Sequence, residues 1–222
     1  LSYLTAGESH GKYLSGILEG FPAGVKIKRD YIAAQLRRRR QAPGRSTRQE
    51  SETDTFEIIS GHSADITTGA PIGLLIHNTG RALPAPSSLP RPGHADLPGM
   101  LKYGVLNASL IRERASARET AMRTALGSFA LRLHELLGIN INSRIISLGG
   151  MREITAQTAA AKLLEARRAG DTLGGVFELT VENLPAGLGG FSQGDRRLGA
   201  RLGAALMGIN GVKGFEVGGG FS

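Results

Sequence analysis

The 222-residue sequence contains no cysteine and no tryptophan, and aromatic residues make up only 5% of it. The first absence excludes disulfides, thiolate metal sites and cysteine nucleophiles, and it makes a reducing cytoplasm the expected compartment. With so few rings, base-stacking platforms for nucleic acid are poorly supplied. No segment approaches the roughly 18 continuous apolar residues of a membrane span, and residues 1–10 lack the basic start and apolar run of a signal peptide. The nucleotide fingerprints Gly-x-Gly-x-x-Gly and Gly-x4-Gly-Lys-Ser/Thr are missing in the contexts they need. What remains is an ordinary soluble composition, 41% hydrophobic, long enough for one large domain or two small ones, with no membrane partner expected.

Charge is the abundant commodity. The net charge is +8, and the six lysines leave 21 of the 27 cations as arginine, whose planar fork suits phosphate and carboxylate. Such a balance fits a nucleic-acid surface or a pocket for small, multiply charged anions. The densest run follows a helix that Asp30 is expected to cap and that passes through Tyr31, Ile32, Ala34 and Leu36 into Arg37 to Arg40. Arg45 and Arg48 follow on a Pro-Gly loop, with only Glu50 in opposition. The run reads either as a solvated basic helix end or as the partner of an anion.

Periodicity divides the rest. Tyr3 to Ala6 and Tyr13 to Glu19 read as strands around the Gly-rich turn Gly7-Glu8-Ser9-His10-Gly11, followed by short strands at 25–28, 56–60 and 71–78. Residues 79–90 are Pro- and Ser-rich without periodicity, a candidate lid. Later come a strand at 141–148, an Ala-rich helix at 155–168 stopped by Gly170, a strand at 176–182, and a helix capped by Asp195. Helices do not alternate singly with strands, so the fold class expected is α+β, with antiparallel sheets packed on helices.

The chain is organised around residues 91–137. Ser116-Ala117-Arg118-Glu119 has the Ser-x-x-Glu form of a capping box. Ala121, Met122, Ala125, Phe129, Leu133 and Leu136 then recur on one stripe of a helix that Gly138 can close. Beside Arg114 and Arg118, the start of that helix is either simply a helix end or an anion site made by its free N–H groups and dipole. Gly93, Pro98, Gly99 and Gly104 punctuate the preceding segment, so His94, Asp96 and Lys102 are expected on loop backbone. His10 and His94 lie in Gly-rich loops without a serine or cysteine nucleophile and an acid partner, which favours proton transfer near neutral pH over covalent catalysis. Neither spacing makes a metal site.

The segments GESHG at 7–11, RPGHAD at 91–96, KYG at 102–104 and RASARET at 114–120 occur in the order of those of chorismate synthase, a family this sequence resembles along essentially its whole length. DRRLGARLGAALMGINGVKGFEVGGGF, near the end, is similar to further family segments. The resemblance implies a trans-1,4 elimination of phosphate from 5-enolpyruvylshikimate 3-phosphate to chorismate. It requires reduced FMN without net redox change, and NADPH serves as the reductant in some members. It further implies a single domain over residues 1–222, a β-α-β sandwich of antiparallel sheets around long central helices, and a homotetramer. An arginine-lined pocket would neutralise the two carboxylates and the phosphates of substrate and flavin.

Carried over by position, His10 resembles the histidine proposed to protonate the departing phosphate, and His94 the one beside the flavin ring. Arg114, Ala115 and Ser116 match the family's flavin-binding triplet. Arg39 and Arg45, with Arg48 in the same run, match arginines assigned to substrate or NADPH. Two departures are small: Leu97-Pro98 follows the HAD where many members carry an aromatic pair, and Asp171-Thr172-Leu173-Gly174-Gly175 replaces a DSVGG. A larger one is length, since the family continues past GGGFS with further flavin contacts and an Arg-His-Asp segment whose aspartate is a proposed base. The expectation is therefore a fragment, or the ordered part of a longer protein, that binds reduced FMN poorly. Its last strand, begun by GFEVGGGF, is expected to expose an apolar edge. The alternative function carried alongside is a basic phosphate- or nucleic-acid-binding module without catalysis, whose affinity would fall steeply with salt.

Overall fold

Strand β2, Tyr13–Glu19, buries Leu14, Gly16 and Leu18 and exposes Tyr13, Ile17 and Glu19, the period-two pattern of a half-covered sheet. The structure, a computed structural model, describes residues 1–41, 52–79 and 84–220. These fall into two compact units, Leu1–Arg132 and Leu133–Ser222.

In the first unit β2 pairs antiparallel with β1 (Ser2–Ala6) and with β6 (Ile72–His77), and β6 pairs with β3 (Phe56–Ile58), giving the order β1-β2-β6-β3. Ile72, Leu74 and Ile76 of β6 are completely buried. Against this face lies the expected long helix, α4 (Thr120–Leu136), whose buried stripe is Ala121, Met122, Ala125, Leu126 and Phe129. Phe129 meets Phe21 edge to face at 5.7 Å, a geometry that aromatic quadrupoles favour. Gly16 makes the approach of sheet and helix possible, because a Cβ there would stand 2.6 Å from Met122 Cγ and 2.9 Å from Leu126 Cδ1. Leu133 and Leu136, expected on the same stripe, lie in the last turn, where Leu136 is exposed; Gly138, with φ of 74°, ends the helix as anticipated.

Several boundaries differ from the sequence-based expectation. Residues 25–28 form no strand. Only Lys26 bridges to Ile66, because Thr67 Oγ1 takes the Val25 N–H and donates to Pro22 O, diverting the groups a ladder would need. Helix α1 (Arg29–Arg40) starts from Lys28, and Asp30 lies in its first turn, where a carboxylate suits the dipole without capping. A small hairpin, β4 (His62–Ser63) with β5 (Ile66–Thr67), occupies what reads as a plain turn. The largest difference is at 96–115. The segment expected to be irregular, 91–104, holds helix α2 (Asp96–Tyr103), and a second short helix, α3 (Ala108–Ala115), follows it. Asn107 caps α3 by accepting the Ser109 N–H at 3.0 Å, and Gly104, with φ of 64°, ends α2. Gly104 therefore marks a helix end, whereas Pro98 and Gly99 lie inside α2, where a Cβ on Gly99 would stand 2.5 Å from Ile111 Cγ2.

The second unit pairs β7 (Asn140–Leu148) with β8 (Gly175–Glu182), as expected, with a bulge between Ile145 and Ser147. Helix α5 (Ala156–Arg168) is capped by Thr155 in a reciprocal box with Thr158. Helix α6 (Leu198–Met207) begins after Arg197. Asp195, expected to cap it, sits in a preceding 3-10 turn. Residues 214–220, the described part of GFEVGGGF, form no strand, where a final edge strand was expected. The expected α+β class holds, and every ladder among the described residues is antiparallel.

Gly16→Val should lower stability by about 1–3 kcal/mol, the usual cost of forcing extra carbons into a packed interface. Urea unfolding is the measurement, and an unchanged midpoint would show that Met122 and Leu126 have room to move.

Candidate active site around the end of helix α3

Helix α3 is short, and its last turn does the gathering. The carboxylate of Glu113, 6% exposed, faces His10 on two sides. Its Oε2 accepts the His10 backbone N–H at 2.6 Å, and its Oε1 lies 2.7 Å from His10 Nδ1. The Glu113 carbonyl accepts the Ser9 N–H at 3.1 Å. The next residue, Arg114, donates to the Thr5 carbonyl at 2.7 Å, to Thr5 Oγ1 at 2.9 Å and to the Gly7 carbonyl at 3.3 Å. Ser116 Oγ donates to Ser9 Oγ at 3.2 Å. Gly7 itself has φ of 103°, and a Cβ on it would stand 2.4 Å from Tyr13 O, so the turn closes only with glycine there. Asn78 completes the turn by donating to the Glu8 and Gly11 carbonyls at 3.1 and 2.8 Å.

The preceding residue of α3 holds the other histidine segment. Arg112 Nε donates to Asp96 Oδ2 at 2.8 Å, and Arg91 reaches the same carboxylate through its backbone N–H, Nε and Nη2 at 2.9 to 3.0 Å. Asp96 is completely buried. Hydrogen bonds from Arg91, with help from Arg112, hold its carboxyl well below the ordinary carboxylate range. The RPGHAD turn is folded around that anion. His94 is carried at its exposed tip, with Nδ1 2.9 Å from the Pro92 carbonyl. Asp96 and Lys102 thus lie on a helix, and only His94 is on turn backbone. The described part of the candidate lid is bonded to α3 as well: Ser87 N–H donates to Asn107 Oδ1, Ala108 N–H to Ser87 O, and Ser109 Oγ to Ala85 O.

The expected capping box at 116–119 is half formed. Ser116 Oγ accepts the Arg118 N–H at 3.2 Å, but it caps a 3-10 turn, Ala117–Glu119, that precedes α4. Glu119 turns away from the cap to accept from Thr5 Oγ1 at 2.7 Å and from Arg123 Nε at 2.8 Å. The N–H groups expected to face an anion have acceptors within the turn, Arg118 at Ser116 Oγ and Glu119 at Ser116 O. Behind them Arg118, 4% exposed, donates to Glu52, Asp54 and Asn78. Arg39 donates to Thr120 Oγ1 at 3.0 Å and to Ala117 O at 3.1 Å, so its guanidinium sits at the start of α4. Arg45 and Arg48 lie outside the described residues. The structure therefore brings His10 together with Arg114, Ala115 and Ser116, and ties the His94 segment to the same helix.

Sequence reasoning missed Glu113 and Arg112. The available signal was Asn107, a helix N-cap residue before the run Ala108 to Ala115, which would have put Arg112, Glu113 and Arg114 on one short helix. Much of the basic inventory is consumed internally, by Arg118 with Glu52 and Asp54, and by Arg91 and Arg112 with Asp96. Among the described residues, no cluster of histidine and carboxylates is placed to hold a metal, and no helix is long and apolar enough to cross a membrane.

A family model described as chorismate synthase matches residues 1–222. A curated chorismate synthase from Caldanaerobacter subterraneus subsp. tengcongensis is 44% identical over 228 residues, covering 100% of this chain and 64% of the relative. Those from Thermobifida fusca and Mycobacterium leprae are 43% and 40% identical, each over 267 residues, with 68% and 66% of the relatives covered. A solved structure described as the crystal structure of chorismate synthase superposes with a TM-score of 0.83 at 34% identity, over 99% of this chain and 68% of that one. The chain thus spans about two thirds of the length of the proteins it matches. A stand-alone nucleic-acid module finds no support in these likenesses.

The Asp96 cluster generates a pH-dependent prediction. Its folded-state pKa lies below the unfolded value of about 3.9, so its contribution is fully present above that value and is lost as pH falls towards the folded one. Asp96→Asn should cost about 1–3 kcal/mol at pH 7, the range of a charged buried hydrogen bond. Urea unfolding should show the gap to wild type narrowing well below pH 4; an equal gap at both pH values would contradict the assignment.

Proposed function

We propose that this chain, which belongs to the chorismate synthase family, carries the proton-delivering part of a site that eliminates phosphate from 5-enolpyruvylshikimate 3-phosphate to give chorismate. The observation that carries the reading is the clamp of His10 by Glu113, on the same helix end as Arg114 and Ser116. In the elimination a C–O bond to phosphate breaks, a substrate proton departs, and a new C=C bond forms with no net change in electron count. His10, held through Nδ1, would give the departing phosphate oxygen a proton from Nε2 of its protonated ring. That is general acid catalysis, and it needs the ring positioned more than it needs any covalent step.

The reading takes reduced FMN as cofactor, and when bound that group supplies a reduced, anionic ring. The triplet fits an anionic partner in one respect: Arg114 stays exposed while its guanidinium is anchored on Thr5 and Gly7, which holds a positive charge beside the His10 turn. Ala115 and Ser116 would shape that wall, and His94, at the tip of its turn, would stand beside the flavin. Arg39 would act on the start of α4, where it holds Ala117 and Thr120, while Arg45 and Arg48 would supply charge to substrate or NADPH. The same reading has NADPH as the source of the flavin's electrons, a homotetramer as the assembly and the cytoplasm as the compartment.

An anaerobic assay for phosphate release, with and without reduced FMN, tests it in a protein that carries this chain. Release should depend on the flavin. His10→Ala and His94→Ala should each fold and lose turnover by roughly 100- to 10,000-fold, the usual scale of acid–base catalysis. Wild-type turnover in either variant would remove that histidine from the reaction. Flavin-independent binding of polyanions that weakens steeply with salt would point to a binding module in its place.

A further inference from the structure

The two contacts from Glu113 to His10 decide more than where the ring sits. A backbone N–H can only donate, so Glu113 Oε2 accepts from His10 N. An ionised carboxylate has no hydrogen to give, so the contact at Oε1 requires the hydrogen to be on Nδ1. The neutral ring then carries its lone pair on Nε2. We infer that Glu113 is a positioning residue that holds His10 in the Nδ1–H form, so that a proton exchanged with substrate moves only at Nε2. The inference deepens the role proposed above for His10 and rests on it.

Three features separate this arrangement from an ordinary ion pair. Glu113 is buried while the His10 side chain is 28% exposed, so the carboxylate is the inner member of the pair and the ring the outer one. Main chain and side chain of Glu113 grip consecutive residues, through Ser9 N–H at the carbonyl and His10 N–H at the carboxylate, which removes the freedom of the loop to swing the ring. Each oxygen of the carboxylate also faces a donor from the same residue. A neutral amide of the same shape cannot replace it, because an amide offers one acceptor oxygen and an NH2. In Glu113→Gln, that oxygen satisfies the His10 backbone N–H, and the NH2 is turned towards Nδ1. Nδ1 must then accept, and the hydrogen moves to Nε2.

The protein labelled with 15N-histidine gives the test. Among its histidines, five of which lie in this chain, His10 is identified by the signals lost in His10→Ala. In wild type, without substrate or flavin, long-range proton–nitrogen correlations should show the neutral His10 ring as Nδ1–H. In Glu113→Gln they should show Nε2–H, and turnover should fall roughly 100- to 10,000-fold with KM nearly unchanged, because an amide NH2 facing Nδ1 disfavours the doubly protonated ring that gives up its Nε2 proton to the phosphate. Glu113→Asp keeps both acceptors and should recover the Nδ1–H form even where it loses reach. An Nε2–H ring in wild type, or an unchanged tautomer or turnover in Glu113→Gln, would overturn the inference. Full turnover in His10→Ala would remove the underlying functional reading, and the substrate-free spectra keep that failure distinct from a failure of the Glu113 contact.

Discussion

The first unit depends on one constraint: the last turn of α3 must satisfy polar groups from three other segments at once. Arg112 meets the buried Asp96 of the His94 turn, Glu113 meets the backbone and ring of His10, and Arg114 meets the carbonyls of Thr5 and Gly7. Each contact is charged on at least one side, and such bonds are about twice as strong as neutral ones. A Gly-rich turn has little apolar surface with which to hold itself in place, so its conformation is set by these donors and acceptors. The helix is itself held by Asn107 at its start and by Ser87 and Ala85 alongside. A loop with one conformation therefore rests on a helix of only two turns.

Burial of charge follows from the same architecture. Arg118 gives up water for Glu52, Asp54 and Asn78, and Arg39 and Arg40 approach Asp54 at 3.9 and 3.6 Å. Removing one member of such a cluster would strand the others in a poorly solvating interior, at a cost usually above that of an exposed pair. The basic composition thus has two destinations. Part of it is structural cement around the end of α3 and the start of α4, and part, as at the exposed Arg114, remains at the surface next to the histidine turn.

The sequence is legible where side-chain spacing decides structure. The stripe from Ala121 to Phe129, the alternation in β2, and the β7 and β8 strands follow from period alone, because apolar residues must share a face. It is less legible where short helices are defined by their ends. Gly99 and Pro98 suggested a loop, yet both fit within the first turns of α2, where Pro98 gives up an N–H that helix starts leave unpaired in any case. Asp30 and Asp195 were natural caps by type, but the N-cap of α1 is Lys28, two residues earlier, and that of α6 is Arg197, two residues later. For the site, the motifs pointed to His10, His94 and the triplet. Glu113 was hidden, since a carboxylate in a helix next to arginines reads as a solvated charge until the fold turns it towards a loop more than a hundred residues away. Long-range pairs of that kind leave no periodic trace.

Native-state hydrogen exchange addresses the central claim, that the end of α3, the His10 turn and the His94 turn form one cooperative unit. If the helix holds both turns, the amides of Ser9, His10 and Arg91, which donate to Glu113 and Asp96, should be protected and should open with the same free energy as the amides of α3. Exchange of Ser9 and His10 at the rate of an open loop, while α3 stays protected, would contradict that account.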